Sequence, residues 1–214
     1  MDSLEFFRAV QILSGNWTGQ TAEAVFFHGR ALEDHDGLFE LASGIHFQTK
    51  AKVVINGSKG ERFGSDIPAQ AWPGKGVYIS LLKAHCVWGE SVACSRPAFH
   101  TRDENEVFIE WAKENGAHSA VVISHPHQLP RIFLGMLHAA KAHNYEISIY
   151  SVAPKYTDWC KKVSSNQGLE IKPRYENIGE ELFRVLRGQE EYANLAGYDE
   201  LFSYLESYKN ASTM

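Results

Sequence analysis

Two hydrophobic periods alternate along this chain, and that alternation constrains the fold more than any other feature. Ala24-Val25-Phe26-Phe27, Lys52-Val53-Val54-Ile55, Ser91-Val92-Ala93-Cys94 and Ser119-Ala120-Val121-Val122-Ile123 are short, nearly continuous apolar runs. Glu146-Ile147-Ser148-Ile149-Tyr150 is a fifth, with more polar alternation. Such runs suit parallel strands buried on both faces. Elsewhere the spacing turns helical. Leu38, Leu41, Ala42 and Ile45 share one stripe, and Val77, Leu81, Ala84 and Trp88 another. Val107, Phe108, Trp111 and Ala112 form a third, and Ile132, Phe133, Met136, Leu137 and Ala140 a fourth. This is the i, i+3, i+4 pattern of amphipathic helices. Alternating strands and helices predict an open α/β sheet of about five parallel strands with right-handed crossovers.

A helix over Leu4 to Leu13 is expected before the first strand. A helical region is expected after Gly179, with Leu182, Val185 and Leu186, then Leu201, Phe202 and Leu205, interrupted at Gly188 and Gly197. The expected organisation is one domain. Residues 1–23 hold the N-terminal helix, 24–155 the sheet, and 156–214 a helical layer covering it.

Charge limits the partners. The 214 residues carry a formal net charge of -5, which argues against a broad nucleic-acid or anionic-membrane surface but permits a local basic pocket. No apolar stretch approaches the ~18–20 residues of a membrane-spanning helix, and the N-terminus has no signal-peptide pattern. Three cysteines with no CxxC spacing give neither a disulfide framework nor a cysteine-based zinc site. A cytoplasmic location is expected.

In an open α/β sheet the ligand crevice lies beyond the carboxyl ends of the strands, so the strand ends are where chemistry is sought. The first strand runs into His28-Gly29-Arg30. Gly29 permits a close backbone approach, and Arg30 suits a phosphate or carboxylate. An ordinary turn with a solvated arginine explains the same residues equally well. The second runs into Asn56-Gly57-Ser58-Lys59-Gly60-Glu61-Arg62, where glycines and cations suit an anion. The spacing matches neither GxGxxG nor GxxxxGK[ST], and a surface loop is the plain alternative. After the third come Arg96 and His100-Thr101-Arg102-Asp103-Glu104-Asn105. Thr101 and Glu104 have capping-box spacing, which accounts for them structurally. Arg96 and His100 then stand beside a helix N-terminus that favours anions. The fourth strand ends in Ser124-His125-Pro126-His127-Gln128-Leu129-Pro130-Arg131. Pro130 suits a first helical turn, and His-x-His can hold a metal, although HExxH and Cys/His zinc spacings are absent. His35, His46, His85, His118, His138 and His143 are expected on helices or at helix ends.

The order of these motifs resembles the YdcF/SanA/ElyC-like bacterial family. Phe26-Phe27-His28-Gly29, Ile55-Asn56-Gly57, His100 to Asn105 and Ser124 to Arg131 carry the resemblance, with His127 and Arg131 in the places of the family's His and Arg. It covers about residues 24 to 140 and, loosely, the helical C-terminus. The resemblance implies a Rossmann-like fold, and some relatives are described as binding S-adenosylmethionine. It names no reaction.

Three functional readings follow. The first is a transferase, hydrolase or binding domain for a small anionic, nucleotide-like metabolite. Arg30, Lys59, Arg62, Arg96 and Arg131 would hold its anion, with Gly29, Asn56, Gly57, Ser58, His100, Thr101 and Ser124 lining the site. His127 or His125 would serve as acid or base, oriented by Asp103 or Glu104. The second is a metal-dependent hydrolase built on His125, His127, His100 and a carboxylate. The third is a non-catalytic interaction protein or homodimer that uses Tyr192, Tyr198, Phe202, Tyr204 and Tyr208, aromatics that equally suit packing helices onto a sheet.

Overall fold

A computed structural model describes residues 3–60, 72–165 and 170–211. Five parallel strands form the sheet: β1 (Ala24–Phe26), β2 (Lys52–Ile55), β3 (Val92–Cys94), β4 (Ser119–Ile123) and β5 (Ser148–Val152). Their order is β3-β2-β1-β4-β5. Val25 aligns with Val53 on one side and Val121 on the other. The order reverses at β1, so the switch point lies between β1 and β4, where open sheets of this kind place their ligands.

Successive residues of each strand feed opposite layers. Phe26, Val54, Val122 and Ile149 pack against α1 (Ser3–Leu13), α4 (Thr101–Asn115) and α5 (Leu129–Ala142). Val25, Phe27, Val53 and Val121 pack against α2 (Leu38–Thr49) and α3 (Lys75–Ala84). Phe26 is fully buried and stacks on Phe108 at 4.4 Å. Burying such a side chain stabilises by roughly 1.5–3 kcal/mol. The strand runs are apolar on both sides because both sides are covered.

Three local expectations need correction. The buried stripe of α3 is Tyr78 and Leu82, one residue along from Val77 and Leu81, and Trp88 lies outside the helix and is exposed. Tyr78 decides the rotation: its ring fits between Phe27 and Phe39, and its hydroxyl accepts from the Arg30 N–H at 2.8 Å. Residues 156–214 are not purely helical. An antiparallel hairpin of β6 (Lys162–Ser165) and β7 (Glu170–Pro173) precedes α6 (Asn177–Glu190) and α7 (Tyr198–Ala211). Gly188 lies within α6, packed so tightly on Leu195 that a Cβ there would sit 2.4 Å from that side chain. The C-terminal aromatics largely pack: Tyr198 is buried, and Tyr204 meets Phe133 at 5.8 Å, whereas Tyr192 is exposed. The side chain of Tyr208 lies outside the described residues.

Among the described residues no helix is long and apolar enough to cross a membrane.

Candidate functional site

A cleft of about 700 Å³ opens at the carboxyl edge of the sheet. One wall is the sheet edge: His28, Gly29 and Arg30 after β1, Asn56 after β2, the segment Ala98–Arg102 before and into α4, and Glu104 and Asn105 on α4. Gln128 and Arg131 border it at the start of α5. The other wall comes from the C-terminal cover, with Asn177, Glu181 and Arg184 on α6 and Tyr192, Asn194 and Leu195 beyond it. Trp72 and Phe99 add aromatic surface.

Glu104 is the centre of the sheet-side wall. It does not close a capping box. The N-cap is His100, whose Nδ1 accepts from the Asp103 N–H at 3.3 Å. Shifted by one residue, Glu104 points inward instead. Its Oε1 accepts from the Gly29 N–H at 2.7 Å and from Asn56 Nδ2 at 2.9 Å. Among the described residues nothing donates to Oε2, which is left to the cleft. Burial pushes this carboxyl up from its ordinary range, and the bonds from Gly29 and Asn56 and the nearby arginines offset only part of that. Gly29 is required here, since a Cβ would come within 2.7 Å of Trp72 and 3.1 Å of Glu104 Oε1. Asn56 also donates to the Ala98 carbonyl at 2.8 Å and so ties β2 to the segment leading into α4.

His28 lines the cleft with Nε2 2.7 Å from Asn105 Oδ1. Burial lowers its pKa to about 3, so the ring stays neutral.

Beneath the cleft lies a buried charge hub that no local motif announces. Asp34 takes Arg30 Nη1 at 3.0 Å and both Nε and Nη2 of Arg174, at 3.1 and 2.9 Å. His125 Nε2 lies 3.3 Å from its Oδ1. Burial alone would raise the Asp34 pKa. The His125 contact and the two guanidinium charges outweigh burial and hold it well below the carboxylate range. Arg30 also donates to Ser124 Oγ at 2.6 Å, which bridges the ends of β1 and β4 across the switch point. Arg174 reaches Asp36 at 2.9 Å, and Asp36 meets Lys161 at 2.6 Å. The hairpin and α6 are thereby fastened to the loop after β1.

A second ionic group stands inside the cleft. Arg131 forks Glu181 through Nε (2.6 Å) and Nη2 (3.1 Å), and Arg184 adds a bond to the same carboxylate at 2.6 Å. Burial would raise the Glu181 pKa, but Arg131 and then Arg184 bring it down to about 2.

Of the residues singled out in the sequence, Gly29, Arg30, Asn56, His100, Thr101, Glu104 and Arg131 share the cleft. Ser124 sits just beneath it. The remainder stand apart. His125 and His127 are buried behind the wall with ring centroids 6.3 Å apart. Among the described residues neither ring nitrogen of His127 has a hydrogen-bond partner, and burial lowers its pKa to about 3. Asp103 pairs with His100 on the surface, Arg96 pairs with Glu110, and Lys59 is exposed. Gly57 is structural: a Cβ there would lie 2.0 Å from the Ser95 carbonyl oxygen. Ser58 is buried and accepts from Trp72 Nε1. Arg62 lies outside the described residues. Among the described residues no group of three or more His, Cys, Asp or Glu is placed to hold a metal ion, and His100 is not beside the His-x-His pair. His35 does lie at a helix end, the C-cap of the short turn Leu32–Asp34. It is packed against Phe39 with Nε2 2.9 Å from the Tyr78 hydroxyl.

Asn105, part of the motif from His100, also lines the cleft, whereas Asp34, Arg174, Asn177, Glu181 and Arg184 belong to no motif; of these only Asp34 leaves a trace in the sequence, four residues after Arg30.

The fold and site define an α/β protein with a polar, arginine-bearing cleft at its switch point. No protein-family profile and no curated protein matches the chain.

Proposed function

We propose that the cleft binds a small anionic, nucleotide-like metabolite and that Glu104 is its proton-transfer group. One observation carries this reading: Glu104 spends a single carboxylate oxygen on the protein and leaves the other to an arginine-bearing cleft. Burial raises the pKa of this carboxyl, which makes it a better proton holder than an exposed glutamate, as a general acid or base requires. His127 is less suited to that task, because burial keeps its ring neutral and, among the described residues, nothing hydrogen-bonds either nitrogen. The cleft volume falls in the range of small-molecule sites, roughly 300–1,000 Å³.

S-adenosylmethionine is the first ligand to test, on the resemblance to the YdcF-like family; its ammonium and sulfonium make it a net cation, and its methionine carboxylate is the anionic part that the cleft would hold. The residues present fit it. Arg131 would hold its carboxylate in place of Glu181, Glu104 Oε2 would accept from ribose hydroxyls, and Trp72 and Phe99 offer apolar faces for adenine. When bound, that group would supply a transferable methyl.

Isothermal titration of the intact chain with S-adenosylmethionine, S-adenosylhomocysteine, AMP and ADP tests the proposal, alongside native mass spectrometry of the freshly purified protein. At least one compound should bind with single-site stoichiometry. Glu104→Gln keeps the acceptor for Gly29 but cannot ionise, so the pH dependence of binding should disappear. No binding by any of the four and no co-purifying small molecule would overturn the reading.

A further inference from the structure

The arginines of the cleft are already occupied by protein carboxylates. A ligand that takes the occupied fork of one of them must therefore compete with a protein carboxylate, and the pairs differ in what competition would cost. Arg30 is the poorer candidate, because it is itself buried and is held at once by Asp34 and by Ser124 Oγ. Arg102 pairs with Glu106 out on the exposed surface of α4. The Arg131–Glu181 pair is different. Arg131 stands on α5, whereas Glu181 stands on α6 of the C-terminal cover and has a second partner, Arg184, on its own helix. If a carboxylate took Arg131, Glu181 would keep Arg184 and Arg131 would keep a carboxylate, so no buried charge is stranded. Leaving one unpaired is what makes breaking a buried ion pair expensive. The geometry also selects the anion. Nε and Nη2 of Arg131 present two parallel donors to two oxygens, the side-on fork that fits a planar carboxylate.

We propose that Glu181 is a built-in stand-in for the ligand's carboxylate: the cleft takes a carboxylate-bearing molecule whose planar anion replaces Glu181 on Arg131. This deepens the proposed function and rests on it. Arg131 lies close enough to Glu104 for their charges to interact, so the captured carboxylate would anchor the molecule beside the proton-transfer group. The exchange also releases the ion pair between α6 and α5, which makes the cover sensitive to ligand.

Competition sets the size of the effect. A socket free in only about a tenth of molecules binds about tenfold more weakly than the same socket emptied. The probes are acetate, planar and forked, and sulfate, tetrahedral, titrated at constant ionic strength into the full chain and followed by NMR. Glu181→Gln should bind acetate about tenfold more tightly than the wild type does, with a smaller gain for sulfate. Arg131→Met/Glu181→Gln should lose the gain. A folded Glu181→Gln with wild-type acetate affinity overturns the proposal. Should that variant unfold, acetate must restore its thermal midpoint where chloride at equal ionic strength does not, and failure of that rescue overturns it equally. If a nucleotide or S-adenosylmethionine binds the wild type while acetate gains nothing in Glu181→Gln, only the stand-in assignment falls. An acetate gain without any nucleotide-like ligand refutes the nucleotide reading and leaves the carboxylate socket.

Discussion

Replacing Arg174 by methionine should loosen the C-terminal cover without dismantling the sheet. Arg174 has no exposed surface and makes two bonds to Asp34, one to Asp36 and one to the Asp158 carbonyl at 2.5 Å. Asp36 is half open to solvent and retains Lys161, so its share of the loss is small. Asp34 is the costly part, a buried carboxylate deprived of its forked partner. Breaking such a pair costs about 3–5 kcal/mol. Arg30 and His125 remain on Asp34, so the lower end, about 3 kcal/mol, is the expected loss at neutral pH. For a chain of this length that lowers the thermal midpoint by about 6–12 °C. Calorimetry measures the midpoint, and hydrogen exchange locates the loss, which should fall on β6, β7 and α6 while β1, β4 and β5 stay protected. The pH dependence follows from the depressed pKa of Asp34. Its stabilisation is present above the unfolded pKa, about 3.9, and drains away as acid approaches the lower folded value. In Arg174→Met the Asp34 pKa rises, so protonation relieves the variant first and the gap between the proteins narrows in acid. A midpoint shift under about 2 °C at neutral pH, or exchange that rises uniformly through the sheet, would refute the view that this hub fastens the cover.

Gly57→Ala should destabilise by about 1–3 kcal/mol, read as a lower urea midpoint, because the new Cβ meets the Ser95 carbonyl oxygen, a backbone atom that cannot move aside. His127→Phe should leave stability unchanged or higher, since it removes a buried ring whose two nitrogens have no hydrogen-bond partner among the described residues. The wild type should lose stability as pH falls from 6.5 toward about 3, where the unfolded chain binds a proton that His127 refuses. Urea midpoints at two pH values within that window should show a shallower slope for His127→Phe.

The sheet was readable because its strands are covered on both faces, so Val53-Val54-Ile55 and Val121-Val122-Ile123 announce themselves without context. The hairpin was not. Lys162-Val163-Ser164 and Glu170-Ile171-Lys172 are mostly polar, and only Val163 is buried while Ile171 is exposed. Such strands rest on pairing and on charges supplied from elsewhere. Rotation about a helix axis was the other weak point. One residue of phase separates the stripe of Val77 from that of Tyr78, and apolar residues occupy both. The same single-residue shift moved the N-cap from Thr101 to His100 and turned Glu104 from a cap into a cleft residue. Gly29, Arg30, Asn56 and Arg131 were found because strand ends in such sheets converge. Their carboxylate partners were not, since nothing local links Arg174 to Asp34 or Arg131 to Glu181 across the chain.

The strand order also sets a timetable for biosynthesis. β1 is made early but sits in the middle of the sheet, with Ala24 beside Ala120, so it must wait for β4 before its second edge is covered. The cleft waits longer still, because α6 and Leu195 supply one of its walls. A nascent chain can thus complete its sheet while having no pocket, and a small molecule can rescue only finished polypeptides.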